Sequence, residues 1–196
     1  MEPVLVVAVV ALSVLFGEQV AVLVGHRLGD QTAERAGRLW APQKLADLLG
    51  TVLIPSLLAL VSQGPLLAFG WGRPGPVGPA SLTGWRATAA ATAAPAAHLV
   101  LGAIAVAAHV ALAGSASSVG LIDVTIMAGQ TNLIIAGFLL LPAPPLPGGR
   151  VLGMCLRGES ATRWARWGRW SRAPFGLAMA GFVAWLVSEP TLHRFG

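Results

Sequence analysis

Long apolar stretches with almost no charge are the feature that most constrains the fold of this 196-residue chain. Residues 4–24, 87–113 and 121–141 are each long enough to cross the hydrocarbon core of a bilayer, which takes about 20 apolar residues in a helix. Charged residues make up 11% of the sequence, against roughly 25% in an ordinary globular domain. The sequence therefore predicts an all-α polytopic membrane protein that forms a single membrane domain over residues 1–196.

Two shorter apolar segments, residues 51–61 and 174–187, predict further helices and bring the expected number to about five. No basic residue precedes Arg27, so we expect the first helix to be retained rather than cleaved as a signal peptide. His109 and Asp123 flank the short loop between the third and fourth helices, and we expect them to pair at the membrane interface.

The distribution of basic residues predicts the orientation of the helices. Arginines cluster after the first helix and between the fourth and fifth, and such loops lie on the cytoplasmic side. The third helix must then begin on that side, so the chain has to return after the second helix. The Gly- and Pro-rich residues 66–77 favour an extended return through the membrane. The alternative is that the second helix is itself re-entrant and never crosses.

Arginine and tryptophan repeat at intervals of three within residues 163–172, in the segment RWARWGRWSR. Arginine binds anionic headgroups and tryptophan favours the membrane interface, so this stretch is expected to be a surface anchor. The net charge of +5 likewise indicates membrane lipid as a partner rather than nucleic acid.

Five segments, in order, resemble the site-2 proteases, zinc peptidases that cut within membranes. The segments are GEQVA at 17–21, HRLGDQTAERAGRL at 26–39, AFGWGRPGPV at 68–77, APAAH at 94–98 and FLLLPAPPLPGGR at 138–150. In the family these read HExxH, RLGDPTARRAGRL, FGWAKPVPV, GPxxN and FNLLPIPPLDGGR. The resemblance implies a site-2-protease-like core with an extended or re-entrant segment. It also implies a multi-pass location in a bacterial cytoplasmic (inner) membrane.

The resemblance fails at the zinc ligands. The two histidines of HExxH correspond to Gly17 and Ala21, and the loop aspartate corresponds to Pro147. None of these side chains can bind a metal, and of the motif only Glu18 remains. We therefore expect no metal and no other cofactor.

Glu18 and His98 are the candidate catalytic residues. A carboxylate inside a membrane helix is costly unless it has a role or a partner, and His98 replaces an uncharged asparagine of the family motif. A buried Glu–His pair could exchange protons. The residues expected to line a cavity or to bind a ligand are Gly17, Ala21, Trp71, Asn132 and Pro147.

These observations lead to three functional hypotheses. The first is a metal-free pseudoprotease that binds transmembrane peptide segments or lipophilic ligands. The second is a repurposed membrane enzyme that uses Glu18 and His98 as acid and base on a lipophilic small molecule, in a cyclisation or isomerisation of an isoprenoid or lipid. The third and weakest is a zinc intramembrane peptidase with relocated ligands.

Overall fold

The computed structural model of the chain describes residues 3–61, 70–73, 82–114, 119–144 and 146–170. Every regular element within these ranges is helical. In chain order they are α1 (Pro3–Arg27), α2 (Thr32–Arg35), α3 (Ile54–Val61), α4 (Gly84–Ala113), α5 (Val119–Leu140), α6 (Pro147–Cys155) and α7 (Gly158–Trp170). A 3₁₀ turn over Pro42–Leu45 and a π-helical turn over Leu48–Leu53 lie between α2 and α3.

Three of these helices, α1, α4 and α5, are long and apolar enough to cross a membrane. Of the most apolar 18-residue stretch of each helix, only 33% in α1, 17% in α4 and 33% in α5 is buried inside the protein. Most of the apolar surface of these helices therefore faces outward. A water-soluble domain rarely exposes so much apolar surface. The prediction of an all-helical fold with helices suited to a bilayer is therefore confirmed for the described residues.

The α-helix α3 begins at Ile54, but the π-helical turn that leads into it begins at Leu48, before the expected start at residue 51. The carboxylate of Asp47 accepts a hydrogen bond from the Gly50 amide at 2.9 Å, while the Thr51 hydroxyl accepts one from the Asp47 amide at 3.0 Å. These reciprocal bonds satisfy backbone donors at the start of the π-helical turn. The apolar helix Leu48–Leu60 that follows covers roughly 20 Å at 1.5 Å per residue, which is less than the hydrocarbon thickness.

Helices α4 and α5 pack closely because glycine lies at their contacts. A Cβ atom on Gly102 would lie 2.9 Å from Leu133 Cδ2, and one on Gly129 would lie 2.8 Å from Val106 Cγ2. Small residues of this kind allow membrane helices to approach closely. Helix α1 packs against both helices and against α3. The buried apolar residues of these four helices form one core with Leu146, the residue before α6. The members of the core are Val6, Val10, Val14, Ile54, Leu58, Ala59, Ala94, Met127, Ile135, Leu139 and Leu146.

A short non-helical segment, residues 70–73, lies beside the turns that precede α3. The Trp71 amide donates to the Gly50 carbonyl at 3.1 Å, and the Arg73 amide donates to the Leu45 carbonyl at 2.7 Å. The Thr51 hydroxyl donates to the Trp71 carbonyl at 3.1 Å. The backbone amides of alternate residues therefore donate hydrogen bonds on the same side of the segment, as they do in a β-strand. Of the segment predicted to be extended, residues 66–69 and 74–77 lie outside the described residues.

The Arg/Trp-rich stretch forms most of helix α7. The Trp164 indole N–H donates to the Gly149 carbonyl at 2.9 Å, which ties α7 to the beginning of α6. The Trp164 and Trp167 rings meet edge to face with centroids 5.3 Å apart. Residues 171–172, and the helix predicted at 174–187, lie outside the described residues.

Candidate functional site

One face of α1 carries only small side chains. Ser13, Gly17 and Ala21 follow one another at intervals of four, which places them above one another on the helix. Ser13 and Gly17 are buried and Ala21 packs against the apolar core. This face receives a polar side chain from each of the helices α4 and α5.

The imidazole of His98, on α4, lies against Gly17. A Cβ atom on Gly17 would be 2.8 Å from His98 Cδ2 and closer still to His98 Nε2. Real Cβ atoms essentially never come so near, so the imidazole occupies the space that any larger residue at position 17 would need. Gly17 therefore accommodates a neighbouring helix, and His98 itself is only 1% exposed.

A hydrogen-bonded chain holds His98 in place. His98 Nδ1 and Asn132 Oδ1 are 2.8 Å apart, and Asn132 Nδ2 donates to Ser13 Oγ at 3.0 Å and to the Ala128 carbonyl at 2.9 Å. A backbone carbonyl only accepts, which fixes the amide orientation, and Asn132 Oδ1 must then accept from His98. A neutral His98 consequently carries its proton on Nδ1, and its Nε2 lone pair is directed towards α1.

Glu18 is buried beside the extended segment. Its side chain is 7% exposed, and a Cβ atom on Gly72 would lie 2.6 Å from Glu18 Cγ and 3.1 Å from Val14 Cγ1. Only glycine at position 72 allows the segment to approach α1 this closely. Because His98 contacts Gly17, the residue before Glu18, the two candidate catalytic residues lie at the same level of α1.

The indole ring of Trp71 lies over Gly50. A Cβ atom on Gly50 would be 2.5 Å from three atoms of the indole ring. The ring also packs against Phe138, with centroids 6.3 Å apart. Trp71 is therefore partly buried against the apolar core.

Pro147 occupies the first position of α6, where the missing amide hydrogen is not needed. The preceding residue, Leu146, is part of the apolar core. A Cβ atom on Gly149 would overlap the Ala143 carbonyl carbon, and one on Gly148 would lie 2.5 Å from the carbonyl carbon of Leu140. The glycine pair is thus required for the turn itself.

The residues at this site do not match the zinc ion that the resemblance implies. A structural or catalytic zinc site takes at least three protein ligands, and Gly17, Ala21 and Pro147 offer none. His98 Nε2 and the Glu18 carboxylate are the donors that remain here. Within the described residues no group of three or more His, Cys, Asp or Glu side chains is placed to hold a metal ion.

No family model, curated protein or solved structure matches this chain. The likeness to site-2 proteases rests on the five ordered segments and stays a prediction.

Two site features were not anticipated from the sequence, and one expected contact is wrong. Ser13 and Gly72 were not singled out, although Ser13 could have been found from its spacing of four before Gly17. His109 Nδ1 bonds to the Ile122 carbonyl at 3.1 Å, and no ion pair forms between His109 and Asp123.

Proposed function

We propose that this protein is a metal-independent, site-2-protease-like membrane protein that binds membrane peptide segments without cutting them. The observation that carries the proposal is the contact of the His98 imidazole with Gly17. In the family, position 17 would hold the first zinc ligand. Here that space is filled by a side chain that Asn132 fixes through a hydrogen bond of 2.8 Å.

The donor set supports a binding role over hydrolysis. A zinc-bound water needs a metal, and the metal needs ligands that positions 17, 21 and 147 do not provide. Relocation of the ligands would require a third donor beside Glu18 and His98. The described residues provide no such third donor.

The segment 70–73 supports the choice of an extended peptide as the ligand. The amides of Trp71 and Arg73 donate hydrogen bonds to the carbonyls of Gly50 and Leu45, so they face the turns that precede α3. The alternation of a strand-like chain directs the peptide groups of Gly72 to the opposite side. An unwound membrane segment added along that side would gain main-chain hydrogen bonds, which is how strand addition provides affinity.

A second candidate function is metal-independent acid–base catalysis on a lipophilic small molecule, such as cyclisation or isomerisation of an isoprenoid or lipid. The hydrogen bond from His98 Nδ1 to Asn132 favours it, because this bond leaves a basic Nε2 lone pair beside the residue that precedes Glu18. In this mechanism Nε2 would accept a proton and Glu18 would act as the acid.

The test uses the full chain in lipid nanodiscs and two labelled transmembrane peptides. One has an uninterrupted leucine helix, and the other has a Gly-Pro break at its centre that unwinds it. We expect binding of the broken peptide, no cleavage with added zinc, and substoichiometric zinc by mass spectrometry. Gly72→Ala should weaken binding, because the new Cβ meets Glu18, whereas Gly25→Ala on the same helix as Glu18 should not, because nothing lies within 4 Å of its Cβ.

Four results would overturn the proposal. Zinc-dependent cleavage of either peptide would establish a protease. Near-stoichiometric zinc that is lost in His98→Ala would establish a zinc site built from other ligands. Equal binding of both peptides would remove the role of the extended segment. Failure of both peptides to bind would favour the enzyme, if a co-purified lipid is converted by the unmodified protein and not by Glu18→Gln or His98→Ala.

A further inference from the structure

A cleft of about 530 Å³ opens where α1 ends, and neither His98 nor Asn132 lines it. Its inner wall is aliphatic and includes Leu23, Val24 and Leu39. Its volume lies within the range of roughly 300–1,000 Å³ that is usual for small-molecule sites. The cleft does not belong to the site described above, and the inference drawn from it is independent of the proposed function.

The rim of the cleft carries polar groups without partners. The Arg27 guanidinium is exposed and makes no hydrogen bond or ion pair with any described residue. His26 Nδ1 is buried and has no hydrogen-bond partner among those residues. It lies 3.8 Å from Glu34 Oε2, which is too far for a hydrogen bond. The rim therefore presents an exposed guanidinium, Arg27, and an exposed carboxylate, Glu34, that a ligand can reach.

The depth of these groups matches the boundary between headgroups and acyl chains. Arg27 is the last residue of the membrane-spanning helix α1, and Leu23 and Val24 precede it by about one turn, or roughly 5 Å. Trp40, at the outer edge of the cleft, is 78% exposed. Exposed tryptophan is typical of membrane interfaces.

We propose that this cleft binds a phospholipid whose headgroup joins a phosphate to a primary amine, as in phosphoethanolamine lipids. The phosphate accepts hydrogen bonds from Arg27. The ammonium donates to the exposed carboxylate of Glu34. An acyl chain lies along Leu23, Val24 and Leu39.

The rim chemistry selects this headgroup over its alternatives. An anionic glycerol headgroup would place its charge beside the Glu34 carboxylate with no amine to compensate. A choline headgroup has no N–H to donate to that carboxylate. Free inorganic phosphate would make no use of the aliphatic wall.

The experiment is native mass spectrometry of the full chain in detergent, titrated with ethanolamine, choline and glycerol phospholipids of identical acyl chains. We expect the ethanolamine lipid to be retained about three- to fivefold better than the others, the range set by exposed ion pairs. Arg27→Gln should weaken retention of all three lipids. Glu34→Gln should abolish the preference for ethanolamine over choline.

Arg35→Gln is the matched control, because Arg35 is an exposed arginine of α2 whose side chain bonds to Gln31 at 3.1 Å. It should leave the lipid preference unchanged, and equal melting temperatures of all variants should show that they fold. The proposal is overturned if the glycerol lipid is retained best and Glu34→Gln increases its retention. Displacement of the lipid by millimolar inorganic phosphate, or equal effects of Glu34→Gln and Arg35→Gln, would overturn it too.

Discussion

The Asn132 amide fixes the His98 imidazole in one tautomer, with Nδ1 and Oδ1 2.8 Å apart at the centre of the helix bundle. The amide cannot be reversed, because its Nδ2 also bonds to the Ala128 carbonyl. The arrangement joins three helices through side chains that are far apart in sequence. It gives the bundle a polar centre in which each group has a defined donor or acceptor role.

Asn132→Ala should destabilise the protein more than Ser13→Ala. The first change removes the bonds to both His98 and Ser13, whereas the second removes one bond. Interhelical hydrogen bonds in membranes average about 0.6 kcal/mol, so we expect a loss of roughly 1–2 kcal/mol against about 0.6 kcal/mol. Titration of the detergent-solubilised variants with SDS measures the free energy of unfolding and hence both losses. Equal losses would mean that the His98–Asn132 bond contributes nothing.

Gly17→Ala should destabilise the protein by about 1–3 kcal/mol, because the new methyl group meets the His98 ring. Gly25→Ala on the same helix is the control and should be neutral or slightly stabilising, since nothing lies within 4 Å of its Cβ. In a His98→Ser background the cost of Gly17→Ala should largely disappear. A double-mutant cycle that found the two sites additive would contradict the contact.

Gly50→Ala should release the segment 70–73. Its Cβ would meet the Trp71 ring at 2.5 Å, and Gly50 also accepts the bond from the Trp71 amide. We expect faster hydrogen exchange at the amides of Trp71 and Arg73, measured by mass spectrometry. Gly114→Ala, at a position with open space, should leave this exchange unchanged. Protection that survived Gly50→Ala would show that the ring packs elsewhere.

Trp164→Phe should loosen α7, because phenylalanine cannot donate to the Gly149 carbonyl. The loss of one such bond is worth about 0.5–1.5 kcal/mol. Hydrogen exchange within α7 should rise. Trp167→Phe, whose side chain is more exposed and makes no such bond, should have a smaller effect. The reverse ranking would assign the anchoring role to Trp167.

The long helices were predictable from the sequence, because a long apolar stretch in a bilayer satisfies its backbone hydrogen bonds by forming a helix. The short ones were not. α6 begins with Pro-Gly-Gly, which by local propensity indicates a turn, and it forms because Leu146 is buried in the core while the Gly148–Gly149 pair fits closely against the preceding backbone. The π-helical turn at Leu48–Leu53 likewise depends on the hydrogen bonds of Asp47 and Thr51.

The site was predictable in part. His98 and Asn132 were found through the family motifs, and both lie at the polar centre of the bundle. The spacing of four places their partner Ser13 on the face of Gly17, but nothing local shows that this serine bonds to Asn132, which lies 119 residues later in the chain. The contact of Gly72 with Glu18 was also missed, since glycine in a Gly/Pro-rich segment is equally compatible with a loop.

The fit of His98 against Gly17 limits the order in which such a chain could have changed. With histidine at position 17 and imidazole at position 98, both rings would claim the same volume, and the bundle would have to open. A residue without a side chain at 17 had to be present before imidazole could be accepted at 98. Position 17 can therefore gain a side chain in a folded bundle only if position 98 becomes smaller at the same time, so the two positions are tied to one another.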